Sequence, residues 1–312
     1  MSLKCKACDA EFETERQLHG HLKCHDLRMA SYYQKYYPRY DLASGEIIKF
    51  KNKKQYFESE FNSRTSQRKW IESQPKEKAV KYLSNIIRER KEAKKLIYAP
   101  CQVELRSTKI PSILFYEKHL NYYELCSDLG LKNKFTSIED IAAGSEHETY
   151  DNLKIYIDTR EQAPLKIDYP AEVKTLKFGD YTLSDKELTC NCYIERKSLA
   201  DFISTLSVMN FERFKREIER AAEDKANLII LVEDTLSHAL SFNYLPHISK
   251  KIRATPEFIF RNTRDLIQQY PHIQFLFVNG RKESVRVMKK IFFSKCLYKK
   301  TDLQLAYDRK IL

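Results

Sequence analysis

The C-terminal half of this 312-residue chain predicts an α/β domain with a mixed central sheet flanked by helices, on three observations. The continuous apolar runs LIILVE at 228–233 and IQFLFV at 273–278 read as strands buried on both faces. Helical spacing occupies 199–206, 211–224 and 256–270, which sets helices against that sheet. Four shorter strand-like stretches come first, at 154–158 (KIYID), 172–178, 181–183 and 191–196, and together with the later runs they imply strands of mixed direction. Asn279-Gly280 then turns the chain, and 283–297 closes with a helix.

Two further stretches precede this domain. Residues 1–26 are short and rich in Cys and His, too small to build a core without a staple. Residues 27–150 are basic and tyrosine-rich and largely helical, with Val80, Leu83, Ile87, Ala93 and Leu96 recurring at helical steps and a second helix expected within 111–129. The polar segment at 142–152 (AAGSEHETYDN) places the boundary before the domain of residues 151–312.

Fifty-five Lys and Arg against 43 Asp and Glu leave a net charge of +12, which favours a polyanionic partner, with nucleic acid first. No apolar run is long enough to span a membrane, and the first residues are too polar for a signal peptide, so the expected setting is intracellular. Of the eight cysteines, Cys24, Cys101, Cys126, Cys190, Cys192 and Cys296 are scattered, and they are expected as reduced thiols. Cys190 and Cys192, two apart, are expected on one strand face as small core residues.

Cys5-x2-Cys8-x12-His21-x3-His25 is the first pattern that carries chemistry. A Cys-x2-Cys turn aims two thiolates at one centre, and two His four apart share a helix face, so one tetrahedral Zn2+ can close the set. Phe12 and Leu18 supply the small core of a ββα unit. The stretch resembles a Cys2His2 zinc finger. His19 and Cys24 are competing ligands at poorer spacing, and the finger's target is either nucleic acid or protein.

The second pattern runs from Asp158 to Asp201. Asp158, Arg160 and Glu161 end the first strand of the domain, Gly179-Asp180 joins two strands, and Glu195-Arg196-Lys197 ends another. Side chains two apart on a strand share a face, so Glu195 and Lys197 project together while Arg196 points away. With Asp180 beside them, two carboxylates and an ammonium converge as phosphodiester hydrolysis requires, since hard Mg2+ prefers carboxylate oxygens and the lysine can serve the attacking water.

The stretches DTREQAP, GDYTL, IERKSLADF, RFKREIERA and LIILVE resemble the XPF family of structure-specific endonucleases, a branch of the PD-(D/E)XK nucleases, over roughly 154–278. The resemblance implies a restriction-endonuclease-like fold and cleavage of DNA that depends on Mg2+ or Mn2+. It implies Asp180 and Glu195 as metal ligands, Lys197 at the water, and Asp158, Arg160, Glu161, Arg196 and Asp201 as supporting or phosphate-contacting groups. A homodimer through the nuclease domain is also implied. After Val278 the sequence departs from the family's eukaryotic members, having no Gly-rich helix-hairpin-helix pair, and no P-loop for a nucleoside triphosphate occurs.

Other features stay open. Tyr32, Tyr33, Tyr36, Tyr37 and Tyr40, interleaved with Lys35 and Arg39 and followed by Lys49, Lys51, Lys53 and Lys54, suit either base stacking or a local core. Arg213, Lys215 and Arg216 suit a solvated helix face or a DNA contact. The sequence is read as a metal-dependent DNA endonuclease. The alternative is a zinc-finger DNA-binding protein or regulator with a silent nuclease fold, which would ordinarily have lost one of Asp180, Glu195 or Lys197.

Overall fold

A computed structural model describes residues 3–38, 50, 95–108, 121–135, 152–244 and 254–312, with isolated helical positions between 77 and 93. Tyr40, Lys49, Lys51, Lys53, Lys54, most of the expected helix at 111–129 and nearly all of the 142–152 segment lie outside the described residues.

The N-terminal unit forms a small ββα arrangement. Strands β1 (Leu3–Lys4) and β2 (Glu11–Phe12) pair antiparallel, and helix α1 (Glu15–His21) starts at a capping box in which Thr14 and Gln17 satisfy each other's backbone. Its core does not stop at residue 26. Helix α2 (Met29–Tyr36) inserts Tyr32 and Tyr33 beside Leu3, Cys5, Leu18 and Leu22, while the hydroxyl of Tyr32 accepts from the Lys6 amide at 2.8 Å. So few apolar residues cannot close a core, and two buried tyrosine rings complete it. Tyr32, Tyr33 and Tyr37 are thereby core residues and not a stacking platform.

The larger unit is a six-stranded sheet in the order β4-β3-β5-β6-β7-β8, formed by β3 (Ile155–Asp158), β4 (Ala171–Lys174), β5 (Tyr181–Leu183), β6 (Cys192–Lys197), β7 (Asn227–Val232) and β8 (Ile273–Phe277). β5 runs antiparallel to both β3 and β6, and β6, β7 and β8 are parallel. On one face, α5 (Leu199–Thr205), α6 (Val208–Glu223), the short α7 (Leu236–Ala239) and α8 (Pro256–Gln269) pack Phe202, Phe214, Ile218, Leu236 and Phe260 against Tyr193, Ile230 and Phe277. On the other, α9 (Gly280–Phe292) and α10 (Leu303–Asp308) cover Ile194, Ile229, Leu231 and Leu276. Polar sequence brackets the helices: Ser198 and Thr255 cap α5 and α8, and Pro256 takes the first turn of α8, where no amide is needed. No helix of the described residues is long and apolar enough to cross a membrane.

Three expectations are corrected by this packing. The strand expected over 172–178 ends at Lys174, because the Leu176 amide is taken by the Asp158 carboxylate at 2.7 Å. The boundary near 150 does not divide the core. α3 (Gln102–Ser107) and α4 (Tyr122–Asp128) bury Leu105, Tyr122 and Cys126 in the same cluster as the sheet, and the buried Glu104 accepts from Gln268. The polarity of that region conceals partners some 160 residues away in sequence. Finally, Cys190 lies in a left-handed turn and is bonded to Cys296, whereas Cys192 is buried in the core as expected. A pair separated by 106 residues leaves no spacing signal.

Candidate active site and metal cluster

The GD and ERK segments are neighbours through the backbone. Gly179 has φ +58° and sits against Ile194, where an added Cβ would stand 2.9 Å from the carbonyl oxygen. Any side chain would therefore push β5 and β6 apart as well as strain the turn. Immediately after it, the Asp180 amide donates to Ile194 O, its carbonyl accepts from the Asp158 amide, and its carboxylate accepts from the Arg196 amide, each at 2.8 Å.

β6 then distributes its charged residues to opposite faces. Towards α5 and α6 it presents Glu195 and Lys197, paired at 2.9 Å. Lys197 is almost buried, and its Nζ lies 5.2 Å from the centre of the Phe214 ring. Burial and the charge of Glu195 together push the Asp180 carboxyl up to about 7. A carboxylate so crowded is held where a cation would relieve it.

Towards α9, the same strand presents Arg196. Its guanidinium makes a two-point contact with Glu161, 2.9 Å at each end, and a third bond of 3.0 Å to Glu233. Arg281 Nη1 stands 3.4 Å from the other Glu233 oxygen. Burial opposes ionisation of Glu161, but Arg196 outweighs it and holds that carboxyl below its usual range.

Asp158 and Asp201 do not enter the front cluster. Asp158 is buried, and burial alone would raise its carboxyl. Four hydrogen bonds, from Arg160 N, Nε and Nη2 and from Leu176 N, hold it below the usual range instead. It fixes the turn after β3 and keeps Arg160 in place. Asp201 is exposed, and it exchanges hydrogen bonds with Ser198 at the first turn of α5, so the three-residue spacing after Lys197 is that of a helix cap.

Two residues here escaped the sequence reading. Glu233 completes the rear ion cluster and was visible only as the last letter of a buried run. Glu217, on α6, is half-buried and faces Glu195 and Lys197; burial first, then Glu195, pushes its carboxyl up. It sits one helical turn past Phe214, a spacing that identified it only once α6 was placed.

At the other end of the chain, Cys5, Cys8, His21 and His25 offer four ligand atoms that all lie within 4.8 Å of one another, the one such Cys, His, Asp or Glu group among the described residues. His21 Nε2 is 3.0 Å from His25 Nε2 and 3.1 Å from Cys8 Sγ. Tetrahedral zinc sets its ligand atoms about 3.3 to 3.8 Å apart, so the set fits with little adjustment. His19 instead meets the Tyr33 hydroxyl at 3.1 Å, and Cys24 stays outside the group.

A mixed sheet covered on both faces, with carboxylates and a lysine at the ends of its central strands, defines a restriction-endonuclease-like fold. Residues 157–291 match the ERCC4 domain, so this part of the chain is similar to that family of domains. Among solved structures, XPF from Aeropyrum pernix in complex with DNA is 20% identical, over 44% of this chain and 62% of that one, at a TM-score of 0.34. A second structure of XPF from Aeropyrum pernix is 19% identical over 44% and 64% of the two chains, also at 0.34. The chain thus spans less than two thirds of those proteins. No match to a curated protein was found.

Proposed function

We propose that the protein is a DNA endonuclease that hydrolyses phosphodiester bonds with Mg2+ or Mn2+, and that its N-terminal unit is a zinc finger. One observation carries the nuclease reading: within an ERCC4 domain, Asp180, Glu195 and Lys197 are all present and are gathered at the ends of β5 and β6. Carboxylate oxygens are the donors that hard divalent cations take, and the crowding of Asp180 by Glu195 suits one. Asp180 and Glu195 would hold the cation. When bound, it would polarise the phosphate and make a water nucleophilic at neutral pH.

The protein's own groups do the rest. Glu195 and the Phe214 ring hold the Lys197 ammonium at the mouth of the carboxylate pair, where it can orient the attacking water and offset charge that develops on phosphorus oxygens. Arg160 is two-thirds exposed, its Nε and Nη2 donate to Asp158 and its Nη2 also to the Leu176 carbonyl, which leaves Nη1 to meet a phosphate. A groove of about 590 Å³ between the loop after Glu161 and α9 is lined by Lys166, Arg281, Lys282, Arg286 and Lys289; Asp168 and Glu283 pair with Lys289 and Arg286, and the remaining cations add positive surface for the backbone. At the N-terminus, Cys5, Cys8, His21 and His25 would hold Zn2+, which binds that unit together.

The test is cleavage of linear, nicked, flap and fork DNA by the full chain in Mg2+, Mn2+ or chelator. Metal-dependent cutting of at least one substrate is expected, and binding without cutting of any of them would establish the silent-fold alternative.

A further inference from the structure

A Cys2His2 finger that reads DNA does so with the side chain just before its helix and with the third and sixth within it, which contact three successive bases. Counted from the start of α1 at Glu15, those positions are Thr14, Gln17 and Gly20. None is presented to a base. The Thr14 hydroxyl accepts from the Gln17 amide at 3.3 Å, and the Gln17 carboxamide oxygen accepts from the Glu13 and Thr14 amides at 3.0 and 3.1 Å. These bonds close the first turn of the helix and occupy the oxygen with which a glutamine would pair with adenine. Gly20 has no side chain, and a Cβ built there would meet nothing within 4 Å. Glu11, Glu13 and Glu15 add acidic groups around the start of the helix, where a reading helix would enter between two rows of phosphates.

The outward side of the same helix is open and basic. Leu18 is buried in the core, and α1 continues into the 3-10 turn Leu22–His25, so residues 16, 20 and 23, at steps of four and three, share the face turned away from Leu18. Arg16, Gly20 and Lys23 are all exposed. Among the described residues neither Arg16 nor Lys23 forms an ion pair or a side-chain hydrogen bond. Gly20 leaves the helix backbone bare between the two cations, so a phosphate backbone can approach closely there while the guanidinium and the ammonium take phosphate oxygens on either side. Six Lys and Arg against five Asp and Glu through residue 38 leave the unit nearly neutral in a chain of +12, so its contact is local and not a general attraction. Resting on the reading of the chain as a DNA nuclease with an N-terminal zinc finger, we propose that this finger meets DNA through the phosphate backbone and reads no base, with Arg16 and Lys23 as the phosphate contacts. Contacts of this kind hold and orient a protein on a duplex without carrying sequence information.

The experiment is the salt dependence of DNA binding by the zinc-loaded full chain, with no Mg2+ or Mn2+ added, on duplexes of one length that differ in base sequence. Arg16→Ala combined with Lys23→Ala is expected to weaken binding by the same factor on every sequence, and to make the slope of log affinity against log salt shallower by about 2. Gln17→Glu, which retains the capping box, is expected to change the affinity for all sequences alike. Zinc content verifies that each variant keeps the unit folded. A sequence preference of the wild type that Gln17→Glu alters would make the unit a base reader and overturn the proposal. Unchanged affinity and slope in the double variant would overturn it too, and would leave the finger a protein target. A wild-type chain that takes up no zinc, or that binds no duplex even at low salt, defeats the underlying reading instead, and the failures are thereby told apart.

Discussion

The two faces of β6 carry the same kinds of residue and opposite electrostatics. On the rear face, Arg196 is shared between Glu161 and Glu233 with three hydrogen bonds, and Glu161 stays ionised despite its burial. On the front face, Lys197 is paired with Glu195, and Asp180 and Glu217 are both pushed toward the protonated state, by burial first and then by Glu195. A satisfied ion cluster is a clamp, whereas an unsatisfied one is prepared for a charge that arrives later. Residues one apart in sequence, Glu195 and Arg196, fall on either side of that division because a strand alternates its side chains.

Substitutions that separate the faces test this division most directly. Glu195→Gln is expected to lower cleavage by at least about a thousandfold while leaving DNA affinity near wild type, since it removes a cation ligand and no rear contact. Turnover and binding measured on one substrate check it, and residual activity of more than a few per cent would remove Glu195 from the machinery. Lys197→Ala is expected to reduce turnover about 100-fold or more with little change in DNA binding, because an ammonium beside the nucleophile acts mainly in the transition state. A proportional loss of affinity would make it a phosphate contact only.

The rear face should respond in stability instead. Arg196→Ala leaves Glu161 buried without its partner and Glu233 with Arg281 alone, and denaturant melts are expected to show a loss of about 3 to 5 kcal/mol. A melt close to wild type would show that the clamp contributes nothing. The front face should also betray its strain through pH. The folded-state pKa of Asp180 is raised from an ordinary carboxylate value to about 7, so between those values the folded chain binds more protons than the unfolded one and stability falls as pH rises. In chelator, Asp180→Asn is therefore expected to match wild type near pH 4 and to be more stable at pH 8, by about a few kcal/mol. Equal stability at both pH values would mean that Asp180 is not crowded. The smallest effect belongs to Asp201→Ala, expected to cost about 1 kcal/mol through the lost cap of α5, with the activity of the folded protein retained.

Much of this arrangement was legible in the sequence. The buried runs that became β7 and β8, the helices α5 and α6 before them and α8 between them, and the metal-ligand spacing of Cys5, Cys8, His21 and His25 all depend on local periodicity, and each stands where the pattern put it. The GD and ERK segments were legible for a related reason, since Gly179 and Asp180 bond directly to Ile194 and Arg196. Buried polar groups of the middle region, Glu104 among them, find partners on α8 and at the start of α10 and so look like surface residues in a linear text.

The sequence by itself determined which residues alternate on a strand, which recur along a helix and which could ligate zinc, because these depend on the fixed periods of 2 and 3.6 residues and on side-chain chemistry. Only the tertiary structure decided that Asp158 and Asp201 hold turns and caps instead of entering the front cluster, that Cys190 meets Cys296, that Tyr32 and Tyr33 close a core, and that Glu217 faces Glu195. Those outcomes depend on which distant surfaces are buried against each other, and burial sets whether a charged group is satisfied, clamped or left waiting for a counter-ion.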